Sequence, residues 1–131
     1  DLLASLRIGT EPLRRQCEHE LRGKLLRLRQ AYVESAGSPK DLGAVLVSAA
    51  TGLVVLARTL LYLARAEERG STTAILDRVE SRFGVSVAHL RRAWQLKRGE
   101  IRVTGSELEG LYQRVLEEFE RLVQVVDALP A

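Results

Sequence analysis

From Leu42 to Ala57 the chain carries no charged residue, and apolar side chains fall on every side of the helix that Pro39 opens. A segment with no polar face is either the middle of a helical bundle or a membrane span. Arg58 closes the run, and Gly43, Ser48, Thr51 and Gly52 dilute it, which argues against a span. The expectation is a buried central helix that runs to about Arg69 and is stopped by Gly70. Ala44, Ser48 and Gly52 recur at every fourth position, a row of small side chains expected to let a neighbouring helix approach closely.

The remaining punctuation supplies helices to surround it. Thr10-Glu11-Pro12 reads as a helix start, with Thr10 as cap and Pro12 tolerated in the first turn. That helix should reach about Ser35 and end before Gly37. In Ser38-Pro39-Lys40-Asp41, Ser38 is placed to cap, Pro39 takes the first helical position and Asp41 completes a capping-box-like pair. Ser71-Thr72-Thr73 opens a short helix ending at Gly84, Ser86 opens another ending at Gly99, and Thr104 or Ser106 caps a last helix to about Leu129. Residues 1–7 read as a short helix or the tail of a preceding one. With no strand alternation, repeat or dividing linker, the chain reads as all-α. The architecture expected is an up-and-down bundle of about five helices in one domain, and 131 residues suffice for its own core. A composition 46% hydrophobic and 28% charged suits such a domain and excludes a disordered tail.

The last helix shows one apolar stripe: Leu108, Leu111, Tyr112, Val115, Leu116, Phe119, Leu122, Val123 and Val126. Glu109, Gln113, Glu117, Glu120 and Gln124 lie opposite. The helix from Glu11 to Ser35 is less simple. Leu13, Cys17, Leu21, Leu25, Leu28 and Tyr32 make its main apolar face, and Leu26 and Val33 a second, smaller one. Arg15, Arg22 and Arg29, spaced by seven, fall in the seam between the two, with Glu18 one turn before Arg22. Two readings stay open for this row. The arginines pass the leucines and pair with Glu18 or a neighbouring helix's acid, or they bind phosphate or nucleic acid at a groove or subunit boundary. Lys24 falls inside the main apolar face beside Glu20, as an edge-of-core pair or a ligand contact.

The net charge of +3 is mild and carried by arginine, the chain having only Lys24, Lys40 and Lys97 as lysines. Arg91, Arg92, Lys97, Arg98 and Arg102 form a second basic cluster, in which Trp94 is expected to pack inward with Val87 and Leu90. No Gly-rich phosphate loop, Cys/His metal spacing or G-x-S-x-G is present, and His19 and His89 are too isolated for a metal site. Arg14 with His19, and Arg82 with His89, fit the Arg-to-His spacing of helical HEPN ribonucleases, a match that an arginine-rich chain also produces by accident. The lone Cys17 suits a reducing compartment, and nothing reads as a secretion signal, so a cytoplasmic location without membrane association is expected.

The run Arg15-Gln16-Cys17-Glu18-His19-Glu20-Leu21-Arg22-Gly23-Lys24-Leu25-Leu26-Arg27-Leu28-Arg29-Gln30 resembles the helical region that follows the catalytic domain in a family of predicted bacterial nucleotidyltransferases. Arg82-Phe83-Gly84, Leu96-Lys97-Arg98-Gly99-Glu100 and Leu122-Val123-x-x-Val126-Asp127 resemble later parts of it. The resemblance implies a HEPN-like, substrate-binding-like bundle excised from a longer chain, consistent with a start at Asp1 and no methionine. Its partner would be an N-terminal catalytic domain with a Gly-Ser turn and paired aspartates, using magnesium and a nucleoside triphosphate. No such constellation exists in these residues, so the resemblance implies a non-catalytic accessory domain that positions substrate or partner. Glu18, Glu20, Arg22, Lys24, Arg29 and Arg98 match its pattern and are the candidate substrate-binding residues, with a phosphate-bearing ligand and a homodimer as further possible partners. The competing readings are a HEPN-type ribonuclease and a dimerising helical module.

Overall fold

A computed structural model of the chain describes residues 10–35 and 38–129. The cap expected of the Thr10 side chain, Gly37 and the segment 1–7 lie outside what it describes. Among the described residues there are six helices and no strand: α1 (Thr10–Ser35), α2 (Pro39–Ala50), α3 (Leu53–Leu63), α4 (Thr72–Phe83), α5 (Ala88–Lys97) and α6 (Gly105–Ala128). The chain is an all-α bundle, with one helix more than the expected five.

The extra helix comes from the uncharged run, which is broken. Thr51 (φ −66°, ψ 126°) and Gly52 (φ 83°, ψ −3°) take the two central conformations of a type II turn, the second of which favours glycine. The axes of α2 and α3 are bent by 41° there. The bend lets α2 pack against α1, α5 and α6 while α3 packs against α1 and α4. α3 ends at Leu63 rather than near Arg69, in a Schellman arrangement in which Ala66 N–H donates to the Leu61 carbonyl and Arg65 N–H to that of Tyr62. Arg65 occupies the left-handed position (φ 58°) that glycine usually fills. The following loop is held by three arginines through its carbonyls: Arg82 to Ala64, Arg78 to Glu67 and Arg69, and Arg58 to Gly70.

The uncharged segment is also not buried all round. Leu42, Leu46, Ala49, Ala50, Leu53, Leu56, Ala57, Leu60 and Leu61 enter the core, whereas Ala44, Ser48, Thr51, Gly52 and Val55 are exposed. The small-residue row is therefore exposed and not buried under another described helix. No single described helix is long and apolar enough to cross a membrane; α2 and α3 reach that composition only together, across the bend, with their leucines in the core.

The two long helices behave as their periodicity requires. All nine stripe residues of α6 are buried, and on α1 Cys17, Leu21, Leu25 and Leu28 are buried with Leu13 and Tyr32 half-buried. At about 1.5–3 kcal/mol for each large apolar side chain removed from water, this face holds the bundle together. Tyr112 donates its hydroxyl to the Leu28 carbonyl inside the α1–α6 interface, and its ring lies 5.8 Å from that of Tyr32. Leu26 and Val33, expected as a second packing strip, are 54% and 78% exposed.

The helix N-termini divide between local and distant oxygen acceptors. Ser71 accepts from Ala74 N–H and Thr104 from Glu107 N–H, as their positions require. Gly84 (φ 66°) and Gly99 (φ 74°) close α4 and α5. Two expected caps differ. Ser38 makes no side-chain cap bond, so the capping box with Asp41 does not form. Nor does Ser86 cap α5: its hydroxyl reaches only Ala88 N–H, while Glu80 takes Val87 N–H and Glu118, from α6, takes those of His89 and Leu90.

Candidate functional site

The heptad arginines of α1 face the acids of α6. Arg22 meets Asp127 at 2.7 Å and Glu18 at 3.5 Å, and Arg29 meets Glu120 at 3.3 Å. Rising numbers on α1 pair with falling numbers on α6, so the helices are antiparallel, and the seven-residue spacing of the arginines matches that of Glu120 and Asp127. Tyr32 adds a third rung, donating to Glu109 Oε1 at 2.5 Å. Arg15 pairs with Glu11 of its own helix. The row is bordered on one side by the core and on the other by solvent, because Leu26 and Val33 are not covered. Arg22 and Arg29 are more than half exposed, so each pair contributes only about 0–1 kcal/mol. The carboxylates in this seam are the chain's own.

Lys24 has a different setting. It is half-buried, and its Nζ donates to the Thr51 carbonyl at 2.8 Å, across from α1 to the end of α2. Desolvation lowers its pKa, opposed by the nearby Glu20 charge. Glu20 itself accepts from Gln16 at 3.5 Å. The expected Glu20–Lys24 pair is thus replaced by a cation at a helix C-terminal end, where the carbonyl dipoles favour it. Around Lys24 opens a shallow cleft of ≈ 30 Å³ lined by Lys24, Arg27, Leu28, Val45, Ser48 and Ala49. It exists because the small side chains at Ser48 and Ala49 do not fill the groove between α1 and α2. Arg27, exposed at its rim, has no acidic partner among the described residues. The cleft therefore combines an apolar floor, a hydroxyl and two cations, of which only Lys24 is engaged among the described residues.

The basic cluster on α5 is partly consumed. Arg91 pairs with Asp77 at 2.7 Å and Glu80 at 3.6 Å. Arg98 pairs with Glu100 at 2.8 Å and lies 4.9 Å from the centre of the Trp94 ring. Trp94 packs against the core while remaining half-buried, with that guanidinium on its face. Of the six candidate binding residues, Glu18 and Arg22 pair with each other, Arg29 joins the same α1–α6 ladder and Arg98 sits apart on α5. Lys24 alone lines the cleft.

The polar site that sequence reading missed is Glu118, the one buried charged residue of the described core. Its carboxylate accepts from His89 N–H at 3.0 Å, Leu90 N–H at 2.7 Å and is 2.8 Å from His89 Nδ1. A signal was present: Glu118 stands three residues after Val115 and four before Leu122, inside the apolar stripe. Neither ribonuclease-like spacing pairs its Arg with its His among the described residues. Arg14 pairs with Glu11 at 3.0 Å, which holds that carboxyl below its usual range, and His19 lies about 140° around the helix from Arg14. Arg82 donates to the Ala64 carbonyl, and His89 sets its Nδ1 edge against Glu118. Among the described residues no group of three or more His, Cys, Asp and Glu is placed to hold a metal ion. Comparison with family models, with curated proteins and with solved structures gives no match for this chain.

Proposed function

We propose that this chain is a non-catalytic helical accessory domain of a bacterial nucleotidyltransferase, and that it holds a phosphate-bearing group of substrate or partner in the α1–α2 cleft. The observation that carries the second half is the placing of Lys24 beside Arg27, which has no partner among the described residues, above an apolar floor. An ammonium and a guanidinium at the mouth of this groove give a phosphoryl group charge-assisted donors without displacing an existing carboxylate. Lys24 has three N–H donors and spends one on Thr51. The nucleotidyltransferase context comes from the resemblance of the Arg15–Gln30 run, in which Lys24 lies.

Arg22 and Arg29 stand in the opposite position. Their guanidinium groups already face Asp127 and Glu120, so an external anion would have to compete with carboxylates fixed close by. Thermal denaturation with and without inorganic phosphate or a nucleoside triphosphate separates the two rows. Phosphate should raise the melting temperature of the wild type and of Arg22→Gln/Arg29→Gln, and this shift should vanish in Lys24→Gln/Arg27→Gln. Equal shifts in all three proteins would overturn the cleft assignment. The accessory role is tested by incubating the chain with labelled nucleoside triphosphates and magnesium, where no modified product should form. Catalytic incorporation would overturn it.

A further inference from the structure

His89 lies in the first turn of α5 with its ring about one third exposed and its Nδ1 edge against the buried Glu118 carboxylate. Both Glu118 oxygens already accept backbone N–H groups of His89 and Leu90. The carboxylate is therefore the acceptor and Nδ1 carries the proton. In the neutral imidazole this leaves the lone pair on Nε2, at the edge of the ring away from the core. Arg92 follows one turn along the same face of α5, at the roughly 5–6 Å Cβ spacing of such neighbours. It has no hydrogen bond or ion pair among the described residues. A ring fixed in one tautomer, with its nucleophilic nitrogen outward and an unengaged guanidinium one turn away, is more than a helix cap needs.

We propose that His89 is a phosphoryl-acceptor site, taking a phosphoryl group on Nε2 from a donor of the phosphoramidate or acyl-phosphate class. The Nε2 lone pair attacks phosphorus, a nitrogen–phosphorus bond forms, and the bond from phosphorus to the donor's leaving group breaks with its electron pair going to that group. With phosphoramidate the leaving group departs as ammonia. The ring becomes an imidazolium whose positive charge faces Glu118 through the retained Nδ1 proton, and Arg92 faces the new phosphoryl oxygens. Glu118 is the positioning residue and His89 the acceptor.

His19 is an internal reference, because it is exposed and has no hydrogen bond or ion pair among the described residues. The folded chain is treated with potassium phosphoramidate, the product is followed by phosphorus NMR, and the labelled histidine is located by peptide mapping at neutral pH. Labelling is expected on Nε2 of His89, faster than at His19 by on the order of tenfold, the scale of one charge-assisted hydrogen bond. Labelling of His19 as fast as His89, or a product on Nδ1, would overturn the proposal. Glu118→Gln, if circular dichroism shows it folded, should slow His89 labelling and leave His19 unchanged; an unchanged His89 rate in the folded variant refutes the positioning role. Should that variant not fold, the two histidines of the wild type still decide.

Discussion

Gly52→Ala is the sharpest probe of the break in the uncharged run. Gly52 sits at φ 83°, and a Cβ added there meets no atom within 4 Å, so the substitution has no steric partner and acts on the backbone alone. Holding an L-residue in the left-handed region costs about 1–2 kcal/mol, and the stiffer unfolded chain returns about 0.4–1 kcal/mol. The expected net is a destabilisation of about 1 kcal/mol, or a melting temperature lower by roughly 3–5 °C for a domain of this size. Gly23 provides the contrast. It lies mid-helix on the exposed side of α1, also with open space around an added Cβ. There the same change should stabilise by about 0.5–1 kcal/mol, because alanine is the better helix former. Urea denaturation followed by circular dichroism and Trp94 fluorescence reads both. If α2 and α3 were one continuous helix in solution, Gly52→Ala would stabilise as Gly23→Ala does, and that result refutes the turn.

Glu118→Ala strands the first-turn N–H groups of α5 and should cost about 3 kcal/mol, seen as an early denaturation midpoint. Arg65→Gly relieves the left-handed arginine at the end of α3 and should stabilise by about 1 kcal/mol in the same assay. Burial pushes the Cys17 thiol up to about 12, so a thiol reagent at mildly alkaline pH should label it only as fast as the protein unfolds; rapid labelling of the native state would show the α1 face to be open. Because burial lowers the Lys24 pKa, the unfolded chain binds more protons in the window between that lowered value and 10.5, and stability contributed by this residue rises with pH there. Lys24→Met should flatten that slope in melting temperature against pH.

Helical periodicity was legible wherever a helix has one buried face. The nine stripe residues of α6 and the main face of α1 could be read directly, since burial at one residue in three or four leaves an unambiguous pattern. The α2–α3 segment misled because absence of charge was taken for burial on all sides. Its exposed positions are small or neutral (Ala44, Ser48, Thr51, Gly52), which satisfies a hydropathy pattern without satisfying packing. Gly52 carried the information about the turn, but a glycine inside an apolar run reads equally as a close-packing site. The partners of the heptad arginines required knowing which helix lies alongside α1. The acids at 120 and 127 have the matching spacing, yet nothing local to α1 selects them over Glu18. The capping of α5 was hidden for the same reason: Ser86 is a good local cap, and two carboxylates from sequence-distant helices displaced it.

The break in the helix and the cleft have one origin. At Thr51 the backbone leaves α2, which places its carbonyl outside both flanking helices and facing α1. A carbonyl at a helix end lacks an intrahelical donor, and Lys24 supplies one from an otherwise apolar face. That bond holds a cation beside the apolar side chains of Leu28, Val45 and Ala49, where its partial burial lowers its pKa. Arg22 and Arg29 on α1 have no comparable role, because Asp127 and Glu120 of α6 reach them first. Electrostatic complementarity on α1 is therefore divided by which neighbour each residue faces. Toward α6 the charge is matched by Asp127 and Glu120, and toward α2, a helix with acid only in its first turn, at Asp41, it meets no carboxylate among the described residues.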